Sequence, residues 1–253
     1  MKRGGNMLPN TERLIEKLEI KLPLIGFYDA PTPEAFEPLT KPDPENPMCL
    51  FKCYENWLDG KTLCLHGENF GCGGCGHWLF GKETFDEEDF ITLMVDKEGL
   101  KESKALLRLW FDHTKRYKPK YPYLFIGPLR KDMSEYLKSI TFLVNPDQLS
   151  ALLIGTHYYY APDDPIPPVA VAFGTGCMQL LPLFKDIDYP QAMIGATDMG
   201  MRQFLPPDIL TFTTTFPLFQ QLSLLDEHSF LYKPCLEKLK GTRRVHPICS
   251  TIT

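Results

Sequence analysis

Two cysteines, Cys72 and Cys75, stand three positions apart in a run that otherwise contains only glycine, at Gly71, Gly73, Gly74 and Gly76. A Cys-x-x-Cys spacing lets two sulfurs converge on one point, which is why it recurs in zinc sites, iron–sulfur sites and redox dithiols. The glycines permit positive φ angles and let backbone N–H groups face a thiolate or a bound anion. We therefore predict a thiol or metal site at this loop.

Other cysteines of the chain could complete a metal site around the loop. Structural zinc sites usually pair two Cys-x-x-Cys knuckles, and this chain has one, so the pattern favours an iron–sulfur cluster, with zinc as the alternative. Either centre would suit electron transfer or redox chemistry. A helix is predicted from about 47 to 58, and Cys49 and Cys53, four positions apart, would share one face of it, so which of the two faces the loop stays open. The predicted ligands are Cys53, Cys64, Cys72, Cys75 and Cys177.

Two further chemistries fit the same loop. The cysteine pair could be a reversible redox dithiol, as in proteins whose Cys-x-x-Cys motif lies between a strand and a helix. Alternatively, the glycine-rich turn could bind a small ligand or an anion through its N–H groups, without catalysis. Asp198 and Arg202 follow a predicted buried strand and could bind a ligand at the sheet edge. A local ion pair between these two residues is the simpler interpretation.

Strand-like and helix-like segments alternate along the chain. Apolar runs at 123–126, 140–144 and 169–173 indicate strands, and helical patterns cover 101–117 and 145–158. This alternation predicts an α/β or α+β fold in which helices flank a mixed sheet. We predict one globular domain over residues 10–240, with flexible tails at 1–9 and 241–253.

An internal repeat is suggested by two segments with the same order of parts. A cysteine-bearing helix, a strand and a glycine-containing turn occur over residues 49–71 and again over residues 177–200. A duplication would relate two halves of the fold by a pseudo-twofold axis. It would also bring Cys177 towards Cys72 and Cys75.

The composition excludes some classes of partner. The 253 residues carry a net charge of −5, which argues against nucleic acid as a partner. No apolar run reaches the roughly 18 to 20 residues of a membrane span, and no secretory signal is recognisable. We expect a cytoplasmic protein, in which clustered cysteines serve metal or redox chemistry rather than disulfides. A small molecule or a redox protein would be its partner, and a homo-oligomer is compatible with the sequence.

The order of these motifs resembles the domain of unknown function 169 (DUF169) family. The shared features are the Pro-Leu-Ile-Gly-Phe strand at 23–27, the glycine–cysteine loop at 71–76, Val-Asn-Pro at 144–146, Gly-x-Gly-Cys at 174–177 and the Gly-to-Phe segment at 195–204. Family members typically carry a Gly-Cys-Pro-Gly-like turn in each half. Here the first turn has an additional cysteine, Cys75, and the second has Thr197 and Asp198 where a cysteine is expected. The resemblance covers roughly residues 12–225 and implies a single cysteine-bearing domain, without an established activity.

Overall fold

One mixed β-sheet organises the part of the chain that the computed structural model describes, which is residues 11–43, 49–67, 69–83, 86–161, 168–171 and 177–240. Eight strands form the sheet in these residues. They are β1 (Ile25–Ala30), β2 (Leu39–Thr40), β3 (Thr62–His66), β4 (Tyr123–Pro128), β5 (Leu137–Val144), β6 (Val169–Val171), β7 (Ala192–Gly195) and β8 (Leu210–Thr215).

The order of the strands is the same from the middle of the sheet to either edge. The full order is β2-β3-β4-β1-β5-β8-β7-β6. Each half therefore places its first strand at the centre, followed outwards by its fourth, third and second strands. The outermost pairs, β2 with β3 and β6 with β7, are parallel. The inner pairs are antiparallel, including β1 with β5 at the centre.

Helices of modest length connect the strands and cover both faces of the sheet. They are α1 (Thr11–Lys17), α2 (Tyr54–Leu58), α3 (Gly73–Phe80), α4 (Glu87–Thr92), α5 (Lys104–His113), α6 (Pro146–Tyr158), α7 (Met199–Arg202), α8 (Phe216–Ser223) and α9 (Pro234–Lys240). Two short 3₁₀ helices, Leu50–Cys53 and Cys177–Leu180, precede β3 and β7. The predicted α/β architecture with a mixed, helix-flanked sheet is confirmed.

The ends of several helices follow from local sequence. At α6, the Asn145 side chain accepts hydrogen bonds from the N–H groups of Asp147 and Gln148, and the Gln148 side chain bonds back to the Asn145 N–H. This capping box satisfies N–H groups that the helix itself leaves without partners. At α4, Asp86 caps the helix through the N–H groups of Glu88 and Asp89. The acidic first turn of α4 also suits the positive end of the helix dipole.

The alternation of side chains along the strands separates two hydrophobic cores, one on each face of the sheet. The first core contains Tyr28, Cys64 and Phe125 together with residues of α6 and α8. The second core contains their sequence neighbours Phe27 and Leu65. The cysteines of the glycine-rich loop belong to the second core. A side chain on β3 therefore faces the loop only if it lies on the same face of the sheet as Leu65.

A buried carboxylate fixes the connection between α5 and β4. Asp29 on β1 is fully buried and accepts hydrogen bonds from the Tyr117 hydroxyl at 2.7 Å and from the Lys120 and Tyr121 N–H groups at 2.7 and 2.9 Å. Three donors compensate the loss of water around this carboxylate. The Tyr117 backbone N–H in turn donates to the Trp78 carbonyl of α3, at 2.8 Å. The same connection therefore links the sheet to the helix that carries the cysteine pair.

Close approach of β3 and β4 requires glycine at position 127. A Cβ atom there would lie 2.7 Å from Thr62 Oγ1 and 2.8 Å from Thr62 Cα. We expect Gly127→Ala to destabilise the fold by about 1–3 kcal/mol, because the two strands must separate to admit the methyl group. Urea denaturation measures the change in the free energy of unfolding.

A second glycine provides the control for this substitution. Gly99 has a φ of +63° and no heavy atom within 4 Å of its ideal Cβ position. Gly99→Ala should therefore cost only the strain of a left-handed backbone, about 1 kcal/mol. A loss below about 1 kcal/mol in Gly127→Ala, no larger than the loss in Gly99→Ala, would contradict the steric explanation for Gly127.

Several predictions fall on residues outside the described ranges or differ in detail from the structure. The predicted tails at 1–9 and 241–253 and the first three residues of the Gly-x-Gly-Cys segment, 174–176, lie outside the described residues. Within the described residues, the helix predicted from about 47 to 58 consists of the 3₁₀ helix Leu50–Cys53 followed by α2. A 3₁₀ turn has three residues instead of 3.6, so Cys49 and Cys53 do not share the α-helical face that the sequence suggested.

Candidate metal centre

The glycine-rich loop forms the start of α3, with Cys72 as its N-cap residue and Cys75 in the first turn. Gly71 has a φ of +87°, a backbone conformation that favours glycine. The Cys75 and Gly76 N–H groups donate to the Cys72 carbonyl, at 3.0 and 3.2 Å. The helix therefore begins within the glycine-rich loop, directly after Cys72. Its first turn places the sulfurs of Cys72 and Cys75 on the same side.

A third cysteine from the other half of the sheet joins this pair. Cys177 begins the 3₁₀ helix that precedes β7, and its sulfur and those of Cys72 and Cys75 all lie within 4.8 Å of one another. The Cys72 and Cys75 sulfurs are 3.4 Å apart. Cys75 and Cys177 are buried, whereas Cys72 is half-buried. We call these three residues the three-cysteine cluster.

Gly74 lies beside the sulfurs without a side chain to cover them. An ideal Cβ atom on Gly74 would be 3.5 Å from the Cys177 sulfur and 3.7 Å from the Cys72 sulfur. A Cβ atom at this position would already contact two of the three sulfurs, and a longer side chain would extend from there. Glycine keeps that space open.

The three thiols differ in their readiness to ionise. Interactions with the Cys177 and Cys75 thiols lower the pKa of Cys72, and the backbone N–H groups of Cys75 and Gly74 add to this effect. The pKa of Cys75 is raised by its hydrogen bonds with the Cys177 and Cys72 thiols and by burial. The pKa of Cys177 is raised by its interaction with Cys72 and by burial. A negative charge on the cluster therefore resides mainly on Cys72, at the positive end of α3.

The remaining predicted cysteine ligands lie apart from the cluster. Cys64 is buried in the first core, on the opposite face of the sheet. Cys53 lies in the second core, and Asn56 interacts with its thiol. Cys49, weighed as an alternative to Cys53, packs against the second core, and its charge acts on Cys177. The structure thus brings Cys72, Cys75 and Cys177 together and places Cys49 in their surroundings.

The other predicted ligand-binding residues have local roles in the structure. Gly73, Gly74 and Gly76 belong to the first turn of α3. Asp198 is the N-cap of α7 and accepts a hydrogen bond from the Gly200 N–H at 2.8 Å. The Arg202 guanidinium donates to the carbonyls of Pro206, Pro207 and Ile209 and so fixes the turn before β8.

The two histidines near the loop, His66 and His77, pack against aromatic rings. Burial and the charge of Arg116 lower the pKa of His77 to about 4. The His77 ring packs against the Phe111 ring, with centroids 5.7 Å apart. His66 stacks on Tyr123, with ring centroids 4.3 Å apart. Among the described residues, the only set of three or more histidine, cysteine and acidic side chains with converging ligand atoms is the three-cysteine cluster.

Comparison with known proteins gives one match. The sequence model of the DUF169 family, described as uncharacterised ArCR, matches residues 13–223 of the 253. Searches of curated proteins and of solved structures found no match. In the described part of the chain, the helices are too short or too polar to cross a membrane.

Proposed function

We propose that this chain, which belongs to the DUF169 family, binds one thiophilic metal ion through Cys72, Cys75 and Cys177. The observation that carries the proposal is the convergence of three sulfurs, two of them buried, within 4.8 Å of one another. A thiolate held away from water is costly unless a partner compensates its charge. A cation compensates that charge and makes all three sulfurs good ligands.

The sulfur separations favour a single ion. In a tetrahedral site with metal–sulfur bonds of about 2.3 Å, neighbouring sulfurs are about 3.8 Å apart. The 3.4 Å between the Cys72 and Cys75 sulfurs is close to this value. In a four-iron cluster each cysteine binds a different iron, so the sulfurs would have to move apart. We therefore favour zinc or a single iron over the four-iron cluster, and electron transfer is the role we propose for an iron-loaded centre.

Metal analysis of protein purified without oxygen tests this proposal. We expect about one zinc or iron ion per chain, with an absorption band in the visible range if the ion is iron. Cys72→Ser should lower the metal content, whereas Cys235→Ser, at an exposed cysteine of α9, should leave it unchanged. Protein that contained neither metal and was indifferent to Cys72→Ser would contradict the proposal.

A thiol–disulfide oxidoreductase is the second candidate. It is favoured by the asymmetry of the pair: Cys72 is half-buried with a lowered pKa, and Cys75 is buried with a raised pKa. In a redox dithiol the first cysteine attacks as a thiolate and the buried one resolves the mixed disulfide. The third thiol, Cys177, has no part in that cycle, so the metal site ranks first.

Alkylation of the metal-free, reduced protein should distinguish the thiols by their pH dependence. Because its pKa is lowered, Cys72 should already be a thiolate at neutral pH, and its rate with iodoacetamide should be nearly constant between about pH 6 and 8. Burial raises the pKa of the equally half-buried Cys49 to about 11. Its rate should therefore rise about tenfold per pH unit over the same range. Mass spectrometry of the two peptides measures both rates, and a steep rise for Cys72 would contradict this assignment.

The remaining expectations stay predictions. The non-catalytic anion site at the glycine turn is weakened, since the Cys75 and Gly76 N–H groups already donate to the Cys72 carbonyl. A cytoplasmic location, a small-molecule or redox-protein partner and a homo-oligomer are proposals that rest on the sequence.

A further inference from the structure

A cavity of about 270 Å³ lies at the edge of the sheet that β6 and β7 form. Its walls come from α3, the end of α5, the two strands, and the segment that follows the 3₁₀ helix Cys177–Leu180. This volume is near the lower end of the range for small-molecule sites, so it suits a ligand of one or two rings.

The walls of this cavity are mainly apolar, and three of the lining side chains carry large aromatic rings. Trp78 of α3, Trp110 of α5 and Phe184 contribute the rings, and the centroids of the two tryptophan rings are 5.8 Å apart. Leu181 and Met193 add aliphatic surface. A ligand that covers these walls removes apolar surface from water, and the rings favour a flat aromatic ligand that can stack against them.

Basic side chains lie beside the apolar walls. Lys115 and His113 line the cavity, and none of the described side chains that line it is acidic. The Lys115 ammonium lies 3.6 Å from the carboxylate of Asp186, which is 97% exposed. Because an ion pair between exposed groups contributes little, the ammonium can exchange Asp186 for the carboxylate of a ligand. His113 donates from Nδ1 to the Leu109 carbonyl at 2.7 Å, which leaves Nε2 as its ring atom for a ligand.

The Trp78 ring contributes both to the wall of this cavity and to the surroundings of the three-cysteine cluster. An ideal Cβ atom on Gly74 would lie 3.8 Å from Trp78 Cε3 and 3.5 Å from the Cys177 sulfur. The ring and the sulfur therefore border the same small space beside Gly74. Leu79 and Leu181, which line the cavity, also belong to the second core with the cysteines of the cluster. A ligand in the cavity would thus contact a side chain that borders the proposed metal centre.

We infer that this cavity binds a small aromatic carboxylate, with its ring against Trp78 and Trp110 and its carboxylate towards Lys115. The inference goes beyond the proposed metal binding and does not depend on it, because no side chain that lines the cavity is a proposed ligand of the ion. Contacts with the rings supply most of the affinity. The ammonium supplies the selectivity for an anion over an uncharged molecule of the same shape.

Isothermal titration calorimetry of the full-length protein with 2-naphthoate tests the inference, with 2-naphthamide as the uncharged probe of the same shape. We expect about one 2-naphthoate per chain, bound about 3–10-fold more tightly than 2-naphthamide. Lys115→Gln should remove this preference, because the charged partner is lost while the ring contacts remain. Lys61→Gln is the matched control, since Lys61 is similarly exposed and also lies 3.6 Å from an aspartate, Asp59. It should retain the preference.

A variant that fills the cavity separates this site from any other. Ala170 of β6 lines the cavity, so Ala170→Phe should lower the affinity for both probes at least about tenfold. No detectable binding of 2-naphthoate, equal affinity of the wild type for the two probes, or binding that survives Ala170→Phe would each overturn the inference. The loss of preference in Lys115→Gln, at an exposed position, decides the matter even if Ala170→Phe does not fold. Metal analysis of the same samples keeps a failure of this inference distinct from a failure of the proposed function.

Discussion

Replacing Cys177 with alanine should lower the affinity for metal at least about 100-fold, the largest effect expected at the site. The substitution removes one of three thiolates and leaves two, and loss of groups that merely support a ligand already costs about 10–100-fold. Alanine fits the buried position without adding volume, so the fold should persist. Competition with a chromophoric chelator at fixed pH measures the dissociation constants of the wild type and the variant.

Cys64→Ala provides the matched control for this result. Cys64 is equally buried and equally part of the predicted ligand set, but it lies in the first core on the other face of the sheet. Its replacement should leave the metal affinity unchanged within about twofold. Equal losses in the two variants would mean that the affinity reports stability and not coordination.

Replacing Asp29 with alanine should destabilise the fold by about 3–5 kcal/mol. The substitution leaves a buried hydroxyl and two part-buried N–H groups without their acceptor, and each buried donor without a partner costs about 1–3 kcal/mol. Urea denaturation monitored by circular dichroism measures the loss. The Tyr117 N–H in this connection donates to the Trp78 carbonyl of α3, the helix that carries Cys75. The variant should therefore also bind metal less tightly.

Tyr117→Phe separates the parts of this network. It removes the hydroxyl that donates to Asp29 but leaves the carboxylate two N–H donors, so we expect a loss of only about 1–2 kcal/mol. The Tyr117 ring packs edge-on against Phe27, at 6.0 Å between centroids, and phenylalanine retains that contact. A loss in Tyr117→Phe as large as in Asp29→Ala would contradict the assigned role of the two N–H groups.

The fold class and the cysteine pair were predictable because their signals are local. Alternating apolar runs indicate strands, and two cysteines three residues apart must lie near each other whatever the fold. Asp29 gave no comparable signal. Its importance depends on Tyr117, Lys120 and Tyr121, about ninety residues away, and nothing near Asp29 in the sequence indicates those partners.

The positions of the other cysteines relative to the loop were harder to predict from the sequence. Cys64 follows Leu63 on a short strand, and a shift of one position decides which face of a sheet a residue occupies. Its position on the far face became visible only once the pairing of β3 with β4 was known. Cys177, in contrast, was expected beside Cys72 and Cys75 because the suggested repeat related its helix to the first cysteine-bearing helix.

Cys75 and Cys177 are about 100 residues apart in the chain, and β4 and β5 lie between them. An ion held by both sulfurs therefore closes a long loop, and closing a loop of about 100 residues in an unfolded chain costs about 4–5 kcal/mol of entropy. The folded chain has already made this closure, so it binds the ion in strong preference to the unfolded chain. The melting temperature should consequently rise with the free metal concentration. An ion bound at the three-cysteine cluster would connect the two halves of the sheet as a reversible cross-link, so metal starvation would shorten the lifetime of the protein.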